Sequence, residues 1–161
     1  MKNKEYKFNN FKTTKGNNLA FTISKEVAKQ PGKKYSSFFI SGNNLERTHL
    51  LNAIANELEE TNHKVSYDIN NIKDNTEVLI IDNIEDLSSE EKDKLTKIIK
   101  SFINNNKQIV LGSIKTLDEL NITEELKETI LWGISVNIEN DTNEANNEKI
   151  SDYDWLNNKE K

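Results

Sequence analysis

Apolar positions along this chain follow two alternating rhythms, one helical and one strand-like. Residues 17–30 place Leu19, Ala20, Ile23, Val27 and Ala28 on one helical face, and Pro31-Gly32 ends the pattern. Ser37 to Ser41 is a short apolar run that predicts a buried strand. Thr48 to Glu60 returns to helical spacing, with Leu50, Leu51, Ile54, Ala55 and Leu58 inward. Lys64 to Ile69 predicts a second strand, and Glu77 to Ile81, Val-Leu-Ile-Ile in an acidic frame, a central one. Residues 89–104 repeat apolar positions at Leu95, Ile98, Ile99, Phe102 and Ile103, a further amphipathic helix. Gln108 to Leu111 predicts another buried strand, Glu119 to Ile130 a short polar helix, and Gly133 to Ile138 a last strand. The strands are continuous apolar runs between helices, which predicts an α/β fold with a parallel sheet flanked by helices on both faces. Beyond Glu139 the chain turns polar, acidic and Asn-rich, broken only by Ile150 and the cluster Tyr153, Trp155, Leu156. The expected organisation is one core domain over 1–138 and an acidic polar tail over 139–161.

Length and charge narrow the function. A chain of 161 residues is long enough for one domain with a real core. Its net charge, 22 − 27 = −5, gives no overall attraction for nucleic acid and argues against direct DNA binding. The charge is uneven. Residues 1–35 hold Lys2, Lys4, Lys7, Lys12, Lys15, Lys25, Lys29, Lys33 and Lys34 against Glu5 and Glu26, a local 9 − 2 = +7, so the remainder sums to −5 − 7 = −12. A basic end and an acidic end suit a protein contact better than a DNA groove. The absence of cysteine excludes disulfides and thiolate metal sites. No apolar run reaches membrane-spanning length and the start has no signal-like apolar segment, so a cytoplasmic location and no membrane partner are expected.

The candidate chemistry lies at two strand ends. A phosphate-binding loop, G-x-x-x-x-G-K-[ST], uses glycines to wrap backbone N–H groups around phosphates, a lysine for charge and a hydroxyl for Mg²⁺. Laid over Ser41 to Thr48, Ser41 stands at the first glycine, Glu46 at the second and Arg47 at the lysine, while Thr48 fits. Gly42 follows the strand, and Asn44 takes a place where left-handed backbone is tolerated. The stretch is read as a former phosphate loop whose backbone path persists, or as a turn capped by a helix N-terminus. Val78 to Asp82 has the form of a Walker B strand, whose acid holds Mg²⁺ through water; Asn83 follows where an acid normally activates the attacking water. The alternative is a strand ending in an Asx turn. His49 and His63 are too isolated for a metal site, and the carboxylates of 85–93 suit a helix's first turn. Tyr153 and Trp155 read either as a short docking peptide or as a tail folding back on the core.

The blocks "YKFNNFKTTKGNNLAFTISKEVAKQPGKKYSSFFISG", "RTHLLNAIANEL", "VLIIDNIEDL", "KQIVLGS" and "LWGISVNI" follow one another over roughly residues 6 to 138. In order and spacing they resemble the DnaA/Hda family, the AAA+ ATPase domain of the bacterial replication initiator and its short paralogues. The resemblance implies an AAA+/P-loop NTPase-like core, expected here without the lid or DNA-binding domain that follow in the initiator. The short 62–76 segment, Asp82-Asn83-Ile84-Glu85 and Arg47-Thr48-His49-Leu50-Leu51 resemble the Hda branch, a regulatory inactivator. The family's base-recognition segment is resembled by Phe8, Phe11, Asn17 and Asn18, and its polar sensor by Ser113.

Departures from the family pattern shift the expected activity. Arg47 is the only arginine, so the stretch Leu126 to Gly133 has no arginine finger. Met1 to Tyr6 does not resemble the family's Gln- and Leu-containing sliding-clamp peptide, so clamp docking is not expected. The expectation is a pseudo-ATPase that regulates chromosome replication by contacting DnaA or another replication protein. Its nucleotide residues would be Phe8, Phe11, Asn17, Asn18, Ser41, Gly42, Asn44, Arg47, Thr48, Asp82, Asn83 and Ser113. No catalytic residue and no certain cofactor are expected; ADP or ATP with Mg²⁺, held by Thr48 and Asp82, is the alternative, a switch without hydrolysis. A nucleic-acid accessory factor using the Lys-rich third is the further alternative.

Overall fold

The computed structural model describes residues 3–42 and 44–140. Five parallel strands form one sheet: β1 (Ser37–Gly42), β2 (Val65–Ser66), β3 (Val78–Ile81), β4 (Gln108–Ser113) and β5 (Ile134–Ile138), in the order β2-β3-β4-β1-β5. The helices are α1 (Asn18–Lys29), α2 (Asn44–Glu60), α3 (Ser89–Asn104) and α4 (Glu124–Ile130), with 3₁₀ turns at Phe8–Asn10 and Ile84–Asp86.

Strand side chains alternate between two cores, as the period of two requires. Phe38, Ile40, Val78, Ile80, Val110 and Val136 meet Ala20, Ile23 and Val27 of α1 and Leu50, Ile54 and Leu58 of α2. Phe39, Leu79, Ile81, Ile109 and Leu111 meet Leu95, Ile99 and Phe102 of α3 and Leu126 and Ile130 of α4. Both faces are therefore buried, which is why the strands read as continuous apolar runs.

Several boundaries differ from the expectation, each for a local reason. The second strand is only Val65–Ser66, because Asp68 turns the chain by accepting from Asn70 N at 2.9 Å. α4 starts at Glu124 rather than 119, since Thr123 caps it by accepting from Leu126 N at 3.1 Å. α3 starts as expected, with Ser88 and Glu91 forming a reciprocal capping box. Leu19 was expected inward but is 60% exposed; the buried arc of α1 is Ala20, Ile23, Ser24, Val27 and Ala28. The tail from 141 onward, with Tyr153 and Trp155, lies outside the described residues.

The largest difference is at the opening stretch. β1 runs to Gly42 and α2 begins at Asn44, so a single residue separates strand from helix. The helix was expected to start at Thr48, after a loop. Without glycines at 44–46, nothing demands non-helical backbone, and Leu45 and Glu46 are good helix formers. Glu46 also places a negative charge in the first turn, where the dipole favours it. The expected path of a phosphate loop is replaced by an extra turn of helix.

Candidate functional site

The C-terminal ends of β1, β3 and β4 bring the two candidate motifs together through Arg47. Its side chain is only 1% exposed, although it carries a permanent charge. Nε donates to Asp82 Oδ1 at 2.8 Å, Nη1 to the Gly42 carbonyl at 2.6 Å, and Nη2 to Asn83 Oδ1 at 3.0 Å. All three nitrogens of the guanidinium are thus engaged within the chain. A buried charge needs this pairing, and the planar fork of arginine reaches three acceptors that a lysine's ammonium would satisfy differently.

The acceptors are themselves positioned. Asp82 leaves the buried β3, and its Oδ1 also accepts from Asn83 N at 2.8 Å. Asn83 sits in the left-handed region (φ 55°), which an asparagine tolerates, and this turns its amide toward Arg47. Gly42 has φ 124°, and a Cβ there would lie 2.5 Å from the Ile138 carbonyl. Gly112 of β4 makes the close approach possible: a Cβ at that position would stand 2.2 Å from Asp82 Oδ1. Gly112 escaped the sequence reading. A lone glycine within a strand pattern was the available signal.

The remaining candidates scatter around this centre. Ser41 is buried and donates from Oγ to Asn137 Oδ1 of β5 at 2.9 Å. Thr48 lies in α2 beside Leu51, Asn52, Ile80, Ile81 and Asp82, along a cleft of about 280 Å³. Ser113, the expected sensor, is buried and accepts from Lys115 N at 2.9 Å, closing a tight turn. Asn44 opens α2, and its side chain lies outside the described residues.

Of the base-recognition candidates, Phe8 and Phe11 join an aromatic cluster that borders a cleft of about 520 Å³. Phe11 stacks on Phe21 at 5.5 Å and Phe8 meets Phe21 edge-on at 6.0 Å. His49 stacks with Tyr6 at 4.8 Å, meets Phe11 edge-on at 5.0 Å, and its Nε2 lies 2.7 Å from the Lys7 carbonyl. His49, read from sequence only as an isolated helix residue, pins the N-terminal segment to α2. Asn17 is fully buried and holds a turn, accepting from Thr14 N at 2.7 Å and donating to the Lys12 carbonyl at 3.1 Å. Asn18 is exposed at the first position of α1, and its carbonyl accepts from Thr22. Among the described residues no three metal-ligating side chains cluster, and no helix is long and apolar enough to cross a membrane.

Comparison with known proteins gives this geometry its context. The profile of the bacterial DnaA ATPase domain matches residues 2–72 and 67–137. The chain is 33% identical over 185 residues to the chromosomal replication initiator DnaA of Streptococcus mutans, covering 95% of this chain and 41% of that protein. It is 35% identical over 164 residues to DnaA of Streptococcus equi subsp. zooepidemicus, covering 84% and 36%. The chain therefore spans less than half the length of these relatives. Among solved structures, DnaA bound to AMPPCP and single-stranded DNA superposes with a TM-score of 0.79 at 27% identity, covering 86% of this chain and 51% of that one. AMPPCP-bound DnaA from Aquifex aeolicus gives 0.77 at 26% identity, covering 85% and 51%. The crystal structure of DnaI shares the fold, with a TM-score of 0.67 at 18% identity over 86% and 90% of the chains. Sequence and architecture agree, and the chain belongs to the bacterial DnaA ATPase-domain family.

Proposed function

We propose that this domain is an Hda-like member of the family that regulates chromosome replication by protein contact and does not hydrolyse ATP. The observation that carries the reading is the Arg47 triad of hydrogen bonds to Asp82, Asn83 and Gly42. Asp82 occupies the position of the acid that would hold Mg²⁺, yet its Oδ1 is bound to the chain's own guanidinium and to Asn83 N. The arginine stands where the phosphate-binding lysine would be, and a helical turn replaces the loop whose amides would wrap the phosphates. As folded, these residues do not suit a Mg-nucleotide: the expected partners of metal and phosphate are bonded to each other. Asn83 cannot take a proton from water, so the position after Asp82 supplies no general base.

The partner in this reading is the initiator DnaA or another replication protein. The direct test is binding of the purified domain to full-length DnaA, by biolayer interferometry, with DnaA held in ATP and Mg²⁺ throughout and the domain either untreated or preincubated with ATP and Mg²⁺; no binding in either case would overturn the reading. Binding that is unchanged when Arg47 is replaced by Lys supports contact independent of this site. Binding that appears only with nucleotide in this domain would instead support the switch reading, which the AMPPCP-bound solved relatives and Thr48 favour.

A further inference from the structure

Two sets among the described lysines contrast with each other. Lys7, Lys92, Lys94, Lys100, Lys107 and Lys127 each donate to an internal oxygen, among them Glu60, Glu125 and Asp118. Lys12, Lys15, Lys25, Lys29, Lys33 and Lys34 are all exposed, and among the described residues none makes an ion pair, while Lys25 and Lys34 lie over the rings of Phe21 and Tyr35 at 5.3 and 5.5 Å. They lie before, along and just after α1, whose 12 residues span about 18 Å. Lys25 and Lys29 are one turn apart on its outer side, and Lys33 and Lys34 follow the Pro31-Gly32 turn. Leu19, 60% exposed, stands at the head of the same helix.

We infer that the outer face of α1 docks an acidic segment of a partner protein, its carboxylates on the lysines that have no acidic partner and an apolar side chain on Leu19. The inference rests on the reading that the domain works through protein contact. One observation favours a protein over a phosphodiester backbone: a backbone of phosphates has no use for an exposed leucine. Toward α2 the face is bounded by a cleft that Lys25 lines together with Glu57 and Glu60, with Glu60 paired to Lys7, and Glu26 interrupts α1 itself. Lys25 thus stands at the border of the face, and these acids keep an acidic ligand from passing beyond it toward α2.

The test is fluorescence anisotropy with a short labelled peptide of aspartate and glutamate carrying one central leucine. The expected result is binding that weakens as salt rises and falls by about tenfold or more in Lys25→Glu/Lys29→Glu, and also in Lys33→Glu/Lys34→Glu. Leu19→Ser weakens it further, whereas Lys97→Glu on the opposite layer does not. No binding, or binding indifferent to both α1 reversals in folded variants, overturns the inference. Equal binding of a single-stranded oligonucleotide of matched charge, insensitive to Leu19→Ser, also overturns it and assigns the lysines to a phosphate backbone. Nucleotide titration reports on the Arg47 site alone, so failure here is distinct from failure of the proposed function.

Discussion

Arg47 is a permanent cation at 1% exposure, and its partner Asp82 is 19% exposed, so each depends on the other for compensation. Removing the arginine strands a largely buried carboxylate and frees the Gly42 carbonyl. Arg47→Ala is expected to cost about 3 kcal/mol in urea unfolding, near the lower end for a broken buried pair because Asp82 keeps some solvent. The double variant Arg47→Ala/Asp82→Ala should recover part of that loss, giving a coupling energy above about 1 kcal/mol. An additive cycle would mean the pair does not act as a unit. Gly112 offers an independent check. Gly112→Ala forces a methyl into the space of Asp82 Oδ1 and should destabilise by about 1–3 kcal/mol, while the same change in an Asp82→Ala background should cost less, because only the Leu51 Cδ1 contact at 2.8 Å remains to be relieved. Equal costs in both backgrounds would place the clash elsewhere.

At the scale of elements, the sequence disclosed the strands and helices well and their junctions poorly. The apolar runs at 37–41, 77–81 and 108–111 appear as β1, β3 and β4, because full burial leaves a mark on every residue of such strands. The start of α2 was hidden because a motif template, laid over Ser41 to Thr48, imposed a loop on residues with no need of one. Arg47's role was hidden because its acceptors are Gly42 and, 35 and 36 residues away, Asp82 and Asn83 just after β3, which only the sheet order brings together. The aromatic cluster on His49 yields a local prediction. His49→Ala should remove hydrogen-exchange protection from residues 6–11 while leaving β3 and β4 protected; simultaneous loss across the sheet would contradict a purely local fastening role. α4 is fastened to its surroundings by Lys100–Glu125 and Lys127–Asp118, both at 2.7 Å. The hydrogen bonds and charge of these lysines lower the pKa values of Glu125 and Asp118. Lowered folded-state values mean that the pairs stabilise above the ordinary carboxylate range and lose that contribution as pH falls through the folded values. The difference in melting temperature between the native chain and Lys100→Met/Lys127→Met should therefore vanish in acid and shrink in high salt, as for any exposed pair. A difference that persists in acid would show that the lysines act by packing.

At the scale of the molecule, a DnaA-family sheet carries a strand-end site in which the candidate nucleotide groups bind one another. Calorimetric titration with ADP and with ATP, Mg²⁺ present, tests this most directly. The account predicts no heat of binding for the native chain even at millimolar nucleotide, and no rise in its melting temperature. Micromolar binding by the native chain, abolished by Arg47→Ala in a protein that remains folded, would contradict it and make Arg47 a ligand for phosphate rather than for Asp82.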